Sequence, residues 1–284
     1  MTVALALAAV LAFAFADLAN TRLARRIGAT PLLTWVLAIA LVPTMTLSLT
    51  VGGFPSGAHG GDILRAAGAG VLTVAALGSL YAALRVGRLA LVAPIVALDG
   101  GFAALAALAM GHQIGVLSGV GLTLAVVGGL LACGVAHEGK RPSRARRPID
   151  RGAVWALASA CCFAGSYLLY GVPDGALPTV TWVAISLAAG LACILPFVVR
   201  RRALAAPRAA WPLLIASGLL QALGMTAMVA ALTRGPVTTA AVLLAQVATA
   251  GAVLGAVVLH ERLARREWLG VGMTVVAATL LASR

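Results

Sequence analysis

Apolar stretches of about 20 residues, separated by short polar or basic joints, run the length of this 284-residue chain. Ten can be drawn, at 2–19, 31–51, 66–84, 89–110 and 114–135, then 153–170, 180–199, 211–232, 237–259 and 268–282. A helix rising 1.5 Å per residue needs about 20 residues to cross the hydrocarbon of a bilayer. The stretches are continuously apolar and do not alternate with period 2, so they predict helices rather than the strands of a barrel. The apolar region from 89 to 137 holds one charge, Asp99, and is too long for one crossing. Gly111-His112-Gln113 supplies its break.

Composition supports a lipid environment. Hydrophobic residues make up 62% of the chain and charged residues 10%, against roughly 25% charged in soluble domains. No single soluble core of this length hides so much apolar surface. The net charge of +13 raises nucleic-acid binding, but the basic residues form short clusters beside apolar runs instead of one interleaved face. Nucleic acid is therefore not an expected partner. The four cysteines, Cys133, Cys161, Cys162 and Cys193, lie inside apolar runs without a CxxC pair or a Cys/His cluster, so no metal site is indicated. No basic region precedes the first apolar run, while Arg22, Arg25 and Arg26 follow it. That order predicts an uncleaved first span.

The two halves of the chain align. Ala6-Leu7-Ala8 and Phe13-Ala14 match Ala156-Leu157-Ala158 and Phe163-Ala164 at an offset of 150. Ala83-Leu84 and Gly87 match Ala231-Leu232 and Gly235 at 148, and Gly119-Val120-Gly121 matches Gly270-Val271-Gly272 at 151. The expected organisation is a repeat at 1–137, a basic connector at 138–151 and a second repeat at 152–284. Five spans per repeat is an odd number, so the second copy would enter the membrane the opposite way. Charge agrees. The odd-numbered connections hold 3, 2, 6, 4 and 3 Lys and Arg residues, which is 18 of 21. The others hold only Arg65 and Arg234, and Arg284 ends the chain. By the positive-inside rule the odd connections face the cytoplasm, with both termini outside. The expected fold is all-α: a polytopic membrane protein of ten transmembrane helices in two inverted five-helix repeats.

The stretch 231–283 carries a more specific pattern. Gly235-Pro236 opens the ninth span, a small-residue-rich helix follows, His260-Glu261-Arg262-Leu263 forms a turn, and Gly270-Val271-Gly272 opens the tenth. This pattern resembles the EamA domain of the drug/metabolite transporter superfamily. Residues 84–132 repeat it more loosely, with Gly87 and Ala93-Pro94-Ile95-Val96, but Gln113 stands near the Glu261 position. The resemblance implies alternating access around a central cavity and transport of small metabolites, often export, usually without ATP. Its members are often described with cytoplasmic termini, whereas the charges here argue the reverse. No Walker A loop is present, so the residues themselves offer no ATPase site.

Among candidate site residues Asp99 stands first, ten residues into span 4 and near the expected midplane. A carboxylate there costs about 2.5–3.5 kcal/mol and needs a partner, a proton or a watery cavity. Such a group would suit proton coupling or cation binding. The plain alternative is hydrogen-bonded helix glue beside Gly100 and Gly101. Asp17, at the end of span 1, reads either as a substrate contact or as an interfacial acid paired with nearby arginines. It aligns with Tyr167, so the two could face a cavity from opposite sides. Gln246 aligns beside the Asp99 position, and Gln221 also lies at membrane depth. Both amides fit substrate contact and interhelical glue equally. Trp35, Tyr81, Tyr167 and Tyr170 could line the cavity, and for Tyr81 and Tyr170, near span ends, an aromatic belt at the membrane surface is the ordinary explanation. Pro94 is the candidate helix bend.

These readings converge on a secondary transporter of small metabolites in the cell membrane. Membrane lipids and one small-molecule substrate are its expected partners, as a monomer or homodimer and without a cofactor. Multidrug efflux is the alternative within the class, but aromatics are only 5%. A non-transporting membrane scaffold is the alternative outside it. An enzyme is not expected, because no nucleophile–base pair or cofactor loop can be found.

Overall fold

The structure, a computed structural model, describes residues 2–52, 60–86, 95–96, 98–110, 119–120, 123–124, 126–128, 131, 151–171, 177–200, 207–235, 237–244, 246–247, 249–250, 253–254, 268–273 and 276–277. Eight α-helices are named here in chain order: α1 (Thr2–Ile27), α2 (Ala29–Leu47), α3 (Gly60–Val86), α4 (Asp99–Ala109), α5 (Arg151–Tyr170), α6 (Thr179–Arg200), α7 (Trp211–Arg234) and α8 (Val237–Leu244). A π-helical turn, Ser48–Gly52, extends α2, and a 3-10 turn, Arg208–Ala210, leads into α7. All regular structure among the described residues is helical.

Six helices are long and apolar enough to cross a membrane, over Thr2–Asn20, Ala29–Thr50, Gly60–Leu80, Gly152–Tyr170, Thr179–Arg200 and Arg208–Arg234. They correspond to expected spans 1, 2, 3, 6, 7 and 8. Spans 4, 5, 9 and 10 are described only in part, so the count of ten does not rest on the described residues. Pro94 and residues 138–150 of the connector lie outside them. The helices also outrun the apolar stretches. α1 continues to Ile27, carrying Arg22, Arg25 and Arg26 on its last two turns. Hydropathy finds the part of a helix that lipid accepts, whereas backbone hydrogen bonding continues into the basic extension. Gly28 then makes the tight turn into α2 with φ of 85°, a conformation that disfavours a side chain.

Packing runs mainly between the halves of the chain. α1 lies along α7 and α3 along α5, and these are the most extensive helix pairs. α2 packs on α6 and α7, α3 on α6, α4 on α5 and α8, and α1 on α8. Both long pairs are antiparallel. In the first, the Thr2 hydroxyl donates to the Arg234 carbonyl, Phe13 fills the space beside Gly224, and the Ser217 hydroxyl donates to Asn20 at 2.6 Å. In the second, the Ser159 hydroxyl donates to the Ala76 carbonyl at 2.9 Å, and Leu72 packs over Gly165. Gly70 and Gly190 bring α3 and α6 together so closely that a Cβ on Gly70 would strike the Ser186 backbone. Leu7, Leu11 and Phe15 form an exposed stripe on α1, as Ile215, Leu219 and Leu223 do on α7. In a membrane these stripes face lipid.

Candidate substrate and coupling site

The polar centre of the molecule is built where α4 meets α5. Asp99 is the first residue of α4 and is 6% exposed. One carboxylate oxygen accepts the Gly100 amide at 2.6 Å, and the other accepts the Tyr167 hydroxyl at 3.0 Å. The carboxylate thus sits at a helix start, where the peptide dipoles favour negative charge. This refines the expectation of an acid ten residues inside an unbroken span. Two hydrogen bonds to an ionised group contribute about 1.5–3 kcal/mol each, comparable with the cost of a carboxylate at the centre of a bilayer. Phe163, one turn before Tyr167, stacks on its ring at 6.4 Å and 23°. The Tyr167 phenol is thus stacked on Phe163 and bonded to an acid from the other half.

Residues 150–283 match the EamA-like transporter family. The likeness covers the second half of this chain, just under half of its length. That family belongs to the drug/metabolite transporter superfamily, and six helices of this chain are long and apolar enough to cross a membrane. A solved crystal structure has the same fold over nearly the whole chain. Its TM-score is 0.78 at 16% identity, covering 98% of this chain and 95% of the other. The curated proteins contain no match. Tyr167, Gln221 and Gln246 lie within the matched stretch, and Asp99 of the first half accepts the Tyr167 hydroxyl there.

The remaining candidates separate. Asp17 belongs to the inward stripe of α1. It follows Ala6, Val10 and Phe13 at spacings of four, three and four, and the first two of these are buried. The Asp17 side chain is nevertheless exposed, and it hydrogen-bonds Asn20 one turn on. Gln221 behaves alike on α7. Ser217, Gly218, Met225 and Met228 surround it on the helix and are buried, yet Gln221 is only half-buried. Gln246 is buried in the helical turn beyond α8 and accepts the Thr249 hydroxyl at 3.3 Å.

Two aromatic expectations change. Trp35 does not join the polar centre. It meets Trp211 edge-on at 4.9 Å, in a separate apolar cluster with Leu23, Leu32 and Leu214. Tyr170, expected in a surface belt, is wholly buried because α3 and α6 cover the last turn of α5, and its hydroxyl lies beside Thr73 and Ser186. The side chain of Tyr81 is outside the described residues. Sequence reasoning passed over Asn20, Ser217 and Phe163. Phe163 was within reach, since it stands one turn before Tyr167 and aligns with Phe13.

Proposed function

We propose that this protein is a secondary active transporter that exports small polar metabolites across the cytoplasmic membrane by alternating access. In this reading the Asp99–Tyr167 pair is its proton-coupling element. The observation that carries it is the buried hydrogen bond between an acid of the first half and a phenol of the second. Proton transfer at Asp99 would change the strength of that tie and so bias one arrangement of the helices over another.

The reading includes two inverted repeats, 1–137 and 152–284, joined at 138–151. Exchange of the halves supports it. The packing of α3 on α5 has its counterpart in α1 on α7, that of α3 on α6 in α2 on α7, and that of α4 on α5 in α1 on α8. The close contacts exchange as well. Gly70 abuts Ser186 and Gly218 abuts Ile39, with Gly218 lying 148 positions after Gly70 and Ser186 lying 147 after Ile39. Thr34-Trp35-Val36 recurs as Thr181-Trp182-Val183 at the same 147 offset. With the positive-inside bias, this arrangement puts both termini outside.

Efflux from proteoliposomes loaded with a panel of polar metabolites, with and without an imposed pH gradient, tests the proposal. The expected result is gradient-dependent movement of at least one compound, with Asp99→Asn losing the pH dependence. Failure of every compound on every gradient overturns it.

A further inference from the structure

Arginines from three stretches of sequence gather at one end of the bundle. The Phe13–Gly224 and Asn20–Ser217 contacts fix the register of α1 against α7, which carries Arg26 to the level of Trp211 and Arg22 to that of Ile215. The Ser48 hydroxyl, at the end of α2, donates to Thr181, at the start of α6, at 2.9 Å. These packed helices are therefore antiparallel, and Arg200 at the end of α6 stands near the start of α2. Arg208 opens the 3-10 turn into α7. Arg22, Arg26, Arg200 and Arg208 are all exposed, and none forms an ion pair with another described residue. At the opposite end of the bundle, by contrast, Arg65 is held by Asp62 at 3.6 Å.

Next to these arginines the surface turns aromatic and then aliphatic. Trp35 and Trp211 meet edge-on at 4.9 Å, half-buried, against the apolar cluster of Leu23, Leu32 and Leu214. Tryptophan favours the depth of lipid headgroups, so the pair marks that level on the molecule. One turn further along α7, Ile215, Leu219 and Leu223 are exposed at spacings of four. Arg208, Trp211, Ile215, Leu219 and Leu223 follow one another at three, four, four and four residues, the spacing of a single helix face. At 1.5 Å per residue the aliphatic part runs about 12 Å, close to the roughly 15 Å of hydrocarbon in one leaflet. On α1 the exposed stripe of Leu7, Leu11 and Phe15 ends in the same way, with Arg22 two turns beyond Phe15 and Arg26 one turn further. Cation, aromatic and aliphatic track thus succeed one another as phosphate, glycerol backbone and acyl chain do in a phospholipid.

We propose that this end of α1 and α7 binds an anionic phospholipid, with its phosphate at Arg26 and Arg208 and one acyl chain along the Ile215–Leu223 track. Such a lipid is held whether or not the protein moves a substrate. Guanidinium groups recognise phosphate through paired N–H donors. A zwitterionic lipid with the same chains offers the same apolar contact but brings a choline cation to a surface that already carries four arginines. Preference for the anionic headgroup is therefore the signature of the site.

Native mass spectrometry of the purified full-length protein provides the test. The protein in detergent is mixed with equal amounts of dioleoyl phosphatidylglycerol and dioleoyl phosphatidylcholine, and the lipid retained on the protein is read directly. An arginine near an anionic lipid surface contributes about fivefold in affinity. Wild-type protein is thus expected to retain the glycerol lipid over the choline lipid by roughly tenfold or more. The double variant Arg26→Gln with Arg208→Gln should remove most of that preference, and Arg26→Lys with Arg208→Lys should keep most of it. Arg234→Gln, an exposed arginine at the other end of α7, should leave it unchanged. Dihexanoyl phosphatidylglycerol, with the same headgroup and short chains, should be retained less than the dioleoyl lipid. Equal retention of the two dioleoyl lipids, an unchanged preference in the double glutamine variant, or an equal loss in Arg234→Gln overturns the proposal. Equal retention of the short-chain and dioleoyl glycerol lipids would show a site for a free headgroup anion and overturn it as well.

Discussion

Two inward acids of this protein sit in opposite circumstances. Asp99 is buried and bonded to Tyr167 of the other half, whereas Asp17 is exposed and bonded to Asn20 of its own helix. Under exchange of the halves Asp17 corresponds to Tyr167, and the Asp99 position falls beside Gln246. One site therefore presents an acid where its counterpart presents a phenol. In the repeat proposed above, corresponding positions therefore carry different chemistry. A closed acid–phenol pair suits a tie that is made and broken.

The largest expected effect breaks this comparison at its closed side. Asp99→Asn should abolish gradient-driven accumulation in proteoliposomes while leaving the protein folded, since an amide can still accept the Tyr167 hydroxyl. Tyr167→Phe should act next most strongly. It leaves the acid with one fewer partner, at a cost of about 1–3 kcal/mol, read as a lower melting temperature together with altered pH dependence of flux. At the exposed acid, Asp17→Asn should leave stability within about 0.5 kcal/mol in thermal unfolding, as expected for an accessible side chain.

Two glycines sharpen the comparison at the helix crossings. Gly70→Ala drives a methyl group into the Ser186 backbone, so it should destabilise by about 1–3 kcal/mol in thermal unfolding. Gly218→Ala meets Ile39 at Cγ2 (2.5 Å) and at Cβ (2.6 Å), and because Cβ does not move with the rotamer the helices must shift, so its cost should approach that of Gly70→Ala. Gly78→Ala, which meets nothing within 4 Å, should have the smallest effect and gain slightly from helix propensity.

Much of the fold was legible in the residues. Six of the expected spans coincide with long helices because lipid imposes a length and an apolarity that leave a plain trace. Their ends were less legible, as the arginine turns of α1 show. The site was half legible. A lone acid at membrane depth marked Asp99, and the 150-residue offset linked Asp17 with Tyr167. The partnership of Asp99 with Tyr167 was not written in either residue, because it depends on how α4 packs on α5. The surroundings of Trp35 and Tyr170 were illegible for the same reason, since an aromatic near a helix end reads alike whether it meets lipid, a second tryptophan or a covering helix. The Ser217–Asn20–Asp17 chain joins residues 197 positions apart at its first link, a distance no local pattern spans.

The central claim is that the Asp99–Tyr167 tie couples protons to movement. Its most direct test is efflux of the responsive metabolite from proteoliposomes at zero membrane potential, with and without a pH gradient, for wild type and Asp99→Asn side by side. The account predicts that the gradient accelerates wild-type efflux and leaves the variant unchanged. Equal acceleration of both proteins by the gradient would contradict it.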